Sequence, residues 1–346
     1  MNQSQEKEKV TRKVDTVSLV IIATILTGVA IRWLQPVLIP LVLSLFVTVG
    51  LSALIRWFEI KLRIPRAPAV GATIILAGLA FALISSVISA SISQLSNNAE
   101  TYQEMAANLV ALVGSQLPAS VGNYIKEAGH TSSLVPVSAV GPLILGATDT
   151  FLEILSKSLL VIIFVVFLMI GQSRSSSSSG IWAEIEGRIQ RYIVIKSLVS
   201  ALTGILVGLT LWTIGVPMAL AFGLLTFLLN FVPSVGSFMA ILLPIPLMLS
   251  LTGPQITLAI TLPAAIHFVL GNILEPKWMK DSLDLHPVVI LSGLIFWGML
   301  WGVAGMLLAT PILVVAKILL SKFEQTKALA DLLAGRLASF RSPRAS

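Results

Sequence analysis

The sequence predicts an all-α integral membrane protein with about eight membrane helical segments, read as six full crossings plus two re-entrant hairpins. Three observations point there. Hydrophobic residues make up 56% of the 346-residue chain and charged residues only 11%, against about 25% in a soluble domain. Two late stretches, Ser197–Leu274 and Leu285–Ala316, hold 78 and 32 residues without one Asp, Glu, Lys or Arg. The basic residues cluster between the apolar runs instead of being scattered through them. This composition excludes a water-soluble enzyme and intrinsic disorder. The absence of cysteine removes disulfides, thiolate metal sites and cysteine nucleophiles.

Taken in order, residues 1–16 form a basic tail with Lys7, Lys9, Arg12 and Lys13. Residues 17–93 form a three-helix scaffold. Its runs are Val17–Ile31, Trp33–Ile55 and Ala69–Ser93, each near the length a spanning helix needs. The first run is longer than a signal peptide core and lacks a cleavage site, so it reads as a retained signal anchor. Residues 94–149 carry one basic residue, Lys126, against three glutamates, and are placed outside. Within them, 99–113 has the periodicity of an amphipathic helix, followed by an irregular Gly/Pro/Ser-rich part. Residues 150–171 are the fourth span. Residues 172–196 combine a serine-run linker with an interfacial helix over Trp182–Arg191. Residues 197–320 form a core of broken helices, and 321–346 a basic tail expected to continue as a helix at the inner surface. The positive-inside rule puts both termini and all four basic clusters in the cytoplasm.

Parity constrains the core. Lys196 and Lys317 both belong to cytoplasmic clusters, so the crossings between them are even in number. Four full crossings satisfy this, over 197–215, 217–250, 256–274 and 288–316. Two crossings do so as well if 217–250 and 288–316 are both hairpins. Lys277 and Lys280 favour a cytoplasmic loop at 275–284, and therefore two hairpins. Breaks are expected at Gly215 and Pro217, at Pro233–Gly236, and at Gly302 and Gly305. The two stretches echo each other. Pro217 is followed by Gly223-Leu224-Leu225, and Pro287 by Gly293-Leu294-Ile295; each half then meets a glycine break and ends on a proline, Pro244 or Pro311. Matching interruptions of this kind mark binding sites in transporters.

Polar groups inside apolar runs are costly and face protein or a cavity. Asn230 opens a turn containing Pro233, Ser234, Gly236 and Ser237, whose amide, freed carbonyls and hydroxyls suit a polyol or a desolvated cation. Asn272 and Glu275 share a face on a continuous helix, and His267 lies near that face, reading first as a packed histidine. His286-Pro287 reads as a helix start capped by Asp284. Trp297 and Trp301, four apart, stack on one face and are candidates for a substrate path. Metalloprotease, nucleophile-elbow and Walker patterns are missing, so no catalytic residue, metal or cofactor is expected, and energy must come from a gradient or a partner.

The order of features from Tyr192 onward carries a resemblance. Tyr192-Ile193-Val194-Ile195-Lys196-Ser197, the Asn230–Gly236 turn, Glu275-Pro276-Lys277, and Leu285-His286-Pro287 through Phe296-Trp297-Gly298 to Gly305-Met306-Leu307-Leu308-Ala309-Thr310-Pro311 resemble the autoinducer-2 exporter family of bacterial permeases. The resemblance implies a multi-pass protein of the bacterial inner membrane, often a homo-oligomer, with the lipid bilayer and a small solute as partners and no nucleic acid. It also implies export of small solutes, including the quorum-sensing signal autoinducer-2 in some members; other members resemble sodium or lithium/proton antiporters. Two departures stand out, the second of which bears on specificity if the solute contacts the turn. One is the serine run before Tyr192; the other is Ser234-Val235, where an aromatic residue often precedes the Val-Gly. The expectation is a secondary transporter, with a membrane organiser of other proteins as the alternative.

Overall fold

The computed structural model describes residues 2–97, 140–171, 180–233, 235–279 and 284–336. The amphipathic helix expected over 99–113, the irregular part after it, the serine linker, Ser234 and the last ten residues lie outside the described residues. The described residues are helical and contain no strand. Five helical stretches among them are long and apolar enough to cross a membrane: Gln35–Lys61, Arg66–Gln94, Ile181–Ile214, Gly253–Met279 and Pro287–Lys322.

Helices α1 (Asn2–Trp33) and α2 (Gln35–Lys61) are separated at Leu34, because Pro36 cannot continue a helix but suits the first turn of the next. Helix α3 (Arg66–Asn97) and α4 (Val140–Gly171) complete the outer group; Ile55, Ala69, Val165 and Met169 form its core. Exposed apolar side chains such as Leu19, Ile25, Leu79 and Phe167 give these helices the all-round hydrophobicity of segments bathed in lipid.

Helix α5 (Ile181–Ile214) runs unbroken for 34 residues, about 51 Å, so the segment at Trp182–Arg191 and the fifth span are one helix. It ends at Gly215, whose left-handed φ of 92° turns the chain. Helix α6 (Ala219–Leu229) returns along it. Here the backbones touch: a Cβ on Gly204 would lie 2.6 Å from the Gly223 carbonyl oxygen, and one on Gly223 would lie 2.8 Å from the Gly208 Cα. Gly204 and Gly208 are the small-xxx-small spacing that lets membrane helices meet closely.

Helix α6 covers only about 16 Å and helix α7 (Val235–Leu242) about 12 Å, so neither limb spans a ~30 Å hydrocarbon layer. They join through the Asn230–Pro233 turn, where Gly236 sits against the Leu229 carbonyl. A 3-10 turn (Ile245–Ser250) leads to α8 (Gly253–His267), which opens with a reciprocal cap between Thr252 and Gln255. The Gln255 amide also donates to the Ile214 carbonyl at 3.4 Å. The stretch from Gly215 to Thr252 therefore starts and finishes at one level of the bundle.

Helix α8 passes into a π-helix (Phe268–Leu274) and the short α9 (Glu275–Met279). Helix α10 (Pro287–Lys322) is folded back on itself at Gly302, with φ 62° and ψ −141°. Its two arms, 287–301 and 303–322, pack face to face. Gly293 abuts the Leu313 side chain, and Gly305 the Trp297 carbonyl. In a straight helix residues 293 and 313 would be about 30 Å apart. Asp284 binds Lys317 across the mouth of this hairpin, so this stretch too begins and ends at one level.

Three further ion pairs gather at that second level. Glu184 bonds Lys322 at 2.9 Å and Arg188 at 3.2 Å, and Arg56 of α2 lies 3.9 Å from Glu186. Two expectations are corrected here. Asp284 does not cap α10. His286 is the N-cap, its Nδ1 accepting from the Val288 N–H at 3.3 Å, while Asp284 is engaged with Lys317 and, at 2.8 Å, Arg336. Burial raises the Asp284 pKa, but these two cations more than offset it and hold the carboxyl below its ordinary range. The tail is also not one continuous helix. Phe323 is extended, and the chain restarts at α11 (Lys327–Leu333), whose Leu333 carbonyl accepts the His286 N–H at 2.9 Å.

The glycine contacts are testable. Gly236→Ala places a methyl on the Leu229 carbonyl, and Gly302→Ala forces a Gly-only backbone conformation. Each is expected to lower stability by about 1–3 kcal/mol. Gly28→Ala, which meets nothing and lies inside the last third of α1, should leave the unfolding midpoint in detergent unchanged or slightly raised.

Candidate functional site

One face of α5 carries a polar group at almost every turn. Tyr192, Lys196, Ser200 and Thr203 are all buried. Successive members are four or three residues apart, which stacks them along one side of a helix. Two of them bond a different neighbour, while the Tyr192 phenol lies beside Thr310 on the second arm of α10. The Lys196 ammonium donates to Glu275 Oε1 at 2.6 Å. The Asn230 amide donates to the Ser200 hydroxyl at 3.0 Å. Thr203 satisfies itself by donating to the Val199 carbonyl at 2.7 Å.

Lys196 anchors this row. Its side chain is 3% exposed and that of Glu275 18%. A lone ammonium this far from water would cost several kcal/mol, and the carboxylate offsets that only while both charges stay in register. The pair fixes α5 to the junction of the π-helix and α9. Among the described residues no group of three or more His, Asp or Glu side chains could hold a metal ion.

The structure brings some of the sequence-predicted residues together and leaves others apart. Asn230 is buried at the end of α6, and Gly236 is buried in the same turn. Pro233 and Ser237 are half-buried beside them. Val232 packs with Leu294 and Ala309 of the α10 hairpin, so the first turn touches the second hairpin. Glu275 is in the row, but Asn272 is not: it is exposed. The expected shared face assumed an α-helix, and the wider turn of the π-helix rotates Asn272 away. Trp297 and Trp301 do meet, with ring centroids 5.0 Å apart. Trp301, however, is buried and its indole N–H donates to the Ile31 carbonyl at 3.3 Å, which makes it an anchor on α1. Arg32 donates to the Met299 carbonyl at 3.0 Å beside it. Gly215, Gly302 and Gly305 lie at chain reversals. Pro217 lies in the α5–α6 turn, and Pro311 is buried inside the second arm of α10.

Sequence reading missed Lys196, Ser200, Thr203 and Thr310. Lys196 closes a cytoplasmic basic cluster in the sequence, and nothing in its spacing separates it from its neighbours. The signal that could have found it is the i, i+4 recurrence of Tyr192, Lys196 and Ser200 entering an uncharged run.

Comparison with known proteins finds relatives over most of the chain. The family model described as AI-2E family transporter matches residues 19–325. The AI-2 transport protein TqsA of Escherichia coli (strain K12) is 28% identical over 88% of this chain and 91% of its own length. A protein of Haemophilus influenzae named for transport is 28% identical over 90% of this chain and 94% of its own. One from Borreliella burgdorferi, likewise named for transport, is 33% identical over 61% of this chain and 56% of its own.

The buried ion pair predicts a non-additive mutant cycle. Lys196→Met alone leaves Glu275 unpaired and should destabilise the protein by about 3–5 kcal/mol. The double variant Lys196→Met/Glu275→Leu should recover most of that loss. Chemical unfolding of the two single variants, the double variant and the parent gives the coupling energy directly.

Proposed function

The chain belongs to the AI-2E transporter family, and from that premise we propose that it is a secondary transporter exporting a small solute, with autoinducer-2 as the first solute to test. It is a multi-pass protein, read here as lying in the bacterial inner membrane with both termini cytoplasmic and working as a homo-oligomer. The stretches 217–250 and 288–316 act as re-entrant hairpins that enter from opposite faces. One observation carries this reading. The flanks of the first stretch are joined by Gln255 and Ile214, and those of the second by Asp284 and Lys317. Broken helices that interrupt the bilayer from both sides are tolerated where they line a cavity or are buried in protein, and in transporters they form the solute site.

The proposed path follows the polar face of α5 past Asn230, Pro233, Gly236 and Ser237, with Glu275 at its lower edge. Gly302 and Gly305 serve as the second break. The pairing of Glu275 with Lys196 leaves that carboxylate engaged, which favours an uncharged solute over a cation exchanged for protons. A role in organising other membrane proteins, without transport, would need neither the paired hairpins nor the row of polar groups between them.

Proteoliposomes preloaded with autoinducer-2 test the function. The purified protein is expected to release the solute well above protein-free vesicles. Asn230→Leu, which removes the bond to Ser200, should lower that rate about tenfold. Release equal to that of empty vesicles contradicts the reading for this solute.

A further inference from the structure

Most polar side chains in the α5 seam are partnered, and His267 is not. It is 5% exposed, and both ring nitrogens are buried without a hydrogen bond. Leaving such a group unpaired costs about 1–3 kcal/mol, so buried polar atoms in native proteins nearly always have a partner, protein or not.

Its position follows from the register of α8 against α5. The two helices run antiparallel. Glu275 faces Lys196 at one end of the seam, and Ala259 shares a cluster with Val207 and Leu211 at the other. Ala259, Pro263 and His267 are the buried face of α8. Counting between the two fixed points places His267 opposite Thr203, within about one helical turn of the Ser200–Asn230 bond. Thr226, one turn before Asn230 on α6, adds a hydroxyl that is fully buried and also without a partner. Three of the five buried side-chain atoms without a hydrogen bond among the described residues thus lie in one layer of the bundle, beside the turn of the first hairpin; the other two, on Thr48 and Glu59, belong to α2. The charged side chains flanking that layer, Lys196 and Glu275, are bonded to each other.

We propose that His267 is a solute-contacting residue: its imidazole, with the Thr226 hydroxyl in the same layer, receives a neutral hydroxylated or carbonyl-bearing solute at mid-membrane. The proposal rests on the transport reading above and adds a contact and a ligand chemistry to it. The uncharged imidazole offers one donor and one acceptor, and a threonine hydroxyl offers both. That set matches a diol or hydroxyketone. It lacks the free carboxylates a desolvated cation needs and the free cationic groups an anion needs.

Histidine modification reads the site without reference to flux. The chain has three histidines, at 130, 267 and 286. In proteoliposomes treated with diethyl pyrocarbonate, peptide mass spectrometry should find His286, which is exposed, modified at a rate indifferent to solute. His267 should be modified more slowly, and at least threefold more slowly again with one of erythritol, ribose or autoinducer-2 present. For the protecting solute, His267→Phe should lower transport about tenfold, whereas His267→Gln, which keeps a donor and an acceptor, should retain most of it. No modification of His267, or modification that none of the three solutes slows, marks a dry or water-filled site and overturns the proposal. So does unchanged transport in a folded His267→Phe protein. Should the Phe variant fail to fold, protection in the parent and activity of the Gln variant still decide. Protection of His267 without any solute movement would uphold the site while refuting the transport reading.

Discussion

The interaction on which the rest depends is the pairing of polar groups along α5 in a setting where water cannot substitute. Hydrocarbon offers no hydrogen bonds, so each buried donor or acceptor must find its partner inside the protein. Helix α5 meets that demand by presenting Tyr192, Lys196, Ser200 and Thr203 on one face. Two of those side chains each hold a different element: Lys196 bonds Glu275 after the π-helix, and Ser200 bonds Asn230 at the first turn. The opposite face shows Ile205, Leu209 and Trp212. One helix is thereby both the lipid-facing wall and the polar axis around which the broken segments are arranged.

Backbone proximity completes the arrangement. Gly204, Gly208 and Gly223 remove side chains where α5 and α6 touch. Gly236 and Gly305 do the same just beyond the two turns, each resting on a carbonyl seven or eight residues earlier in the chain. This is the three-dimensional form of the echo between the halves: similar glycine placement yields similar chain reversals, opening at opposite ends of the bundle. The charged clamp of Asp284 with Lys317 and Arg336 closes one mouth, while the Gln255–Ile214 bond closes the other. The clamp is ionic where the basic clusters gather, and neutral at the end without them.

Much of this was legible from residue order. Helical class, the apolar runs, the breaks at Gly215, Pro233–Gly236 and Gly302–Gly305, and the family followed from hydropathy, Pro and Gly placement, and motif order. What escaped were features that depend on a partner distant in sequence. Lys196 looks like one more cytoplasmic base until Glu275 is placed beside it, 79 residues later. Asn272 looks like a companion of Glu275 until the helix widens into a π turn that no local pattern announces. Asp284 has the sequence of a cap, but Lys317 and Arg336 outcompete a backbone N–H for its carboxylate, and His286 takes the capping role. Trp301 lies on the expected face with Trp297, yet its indole is claimed by the Ile31 carbonyl of α1.

The central claim is that both late apolar stretches return to the face they left. Because the chain has no native cysteine, single cysteines at positions 213, 252, 286 and 321 can be probed with a membrane-impermeant maleimide in vesicles of each orientation. Positions 213 and 252 are expected to react from one side, and 286 and 321 from the other. Finding 213 and 252 on opposite sides, or 286 and 321 on opposite sides, would show full crossings and contradict the account.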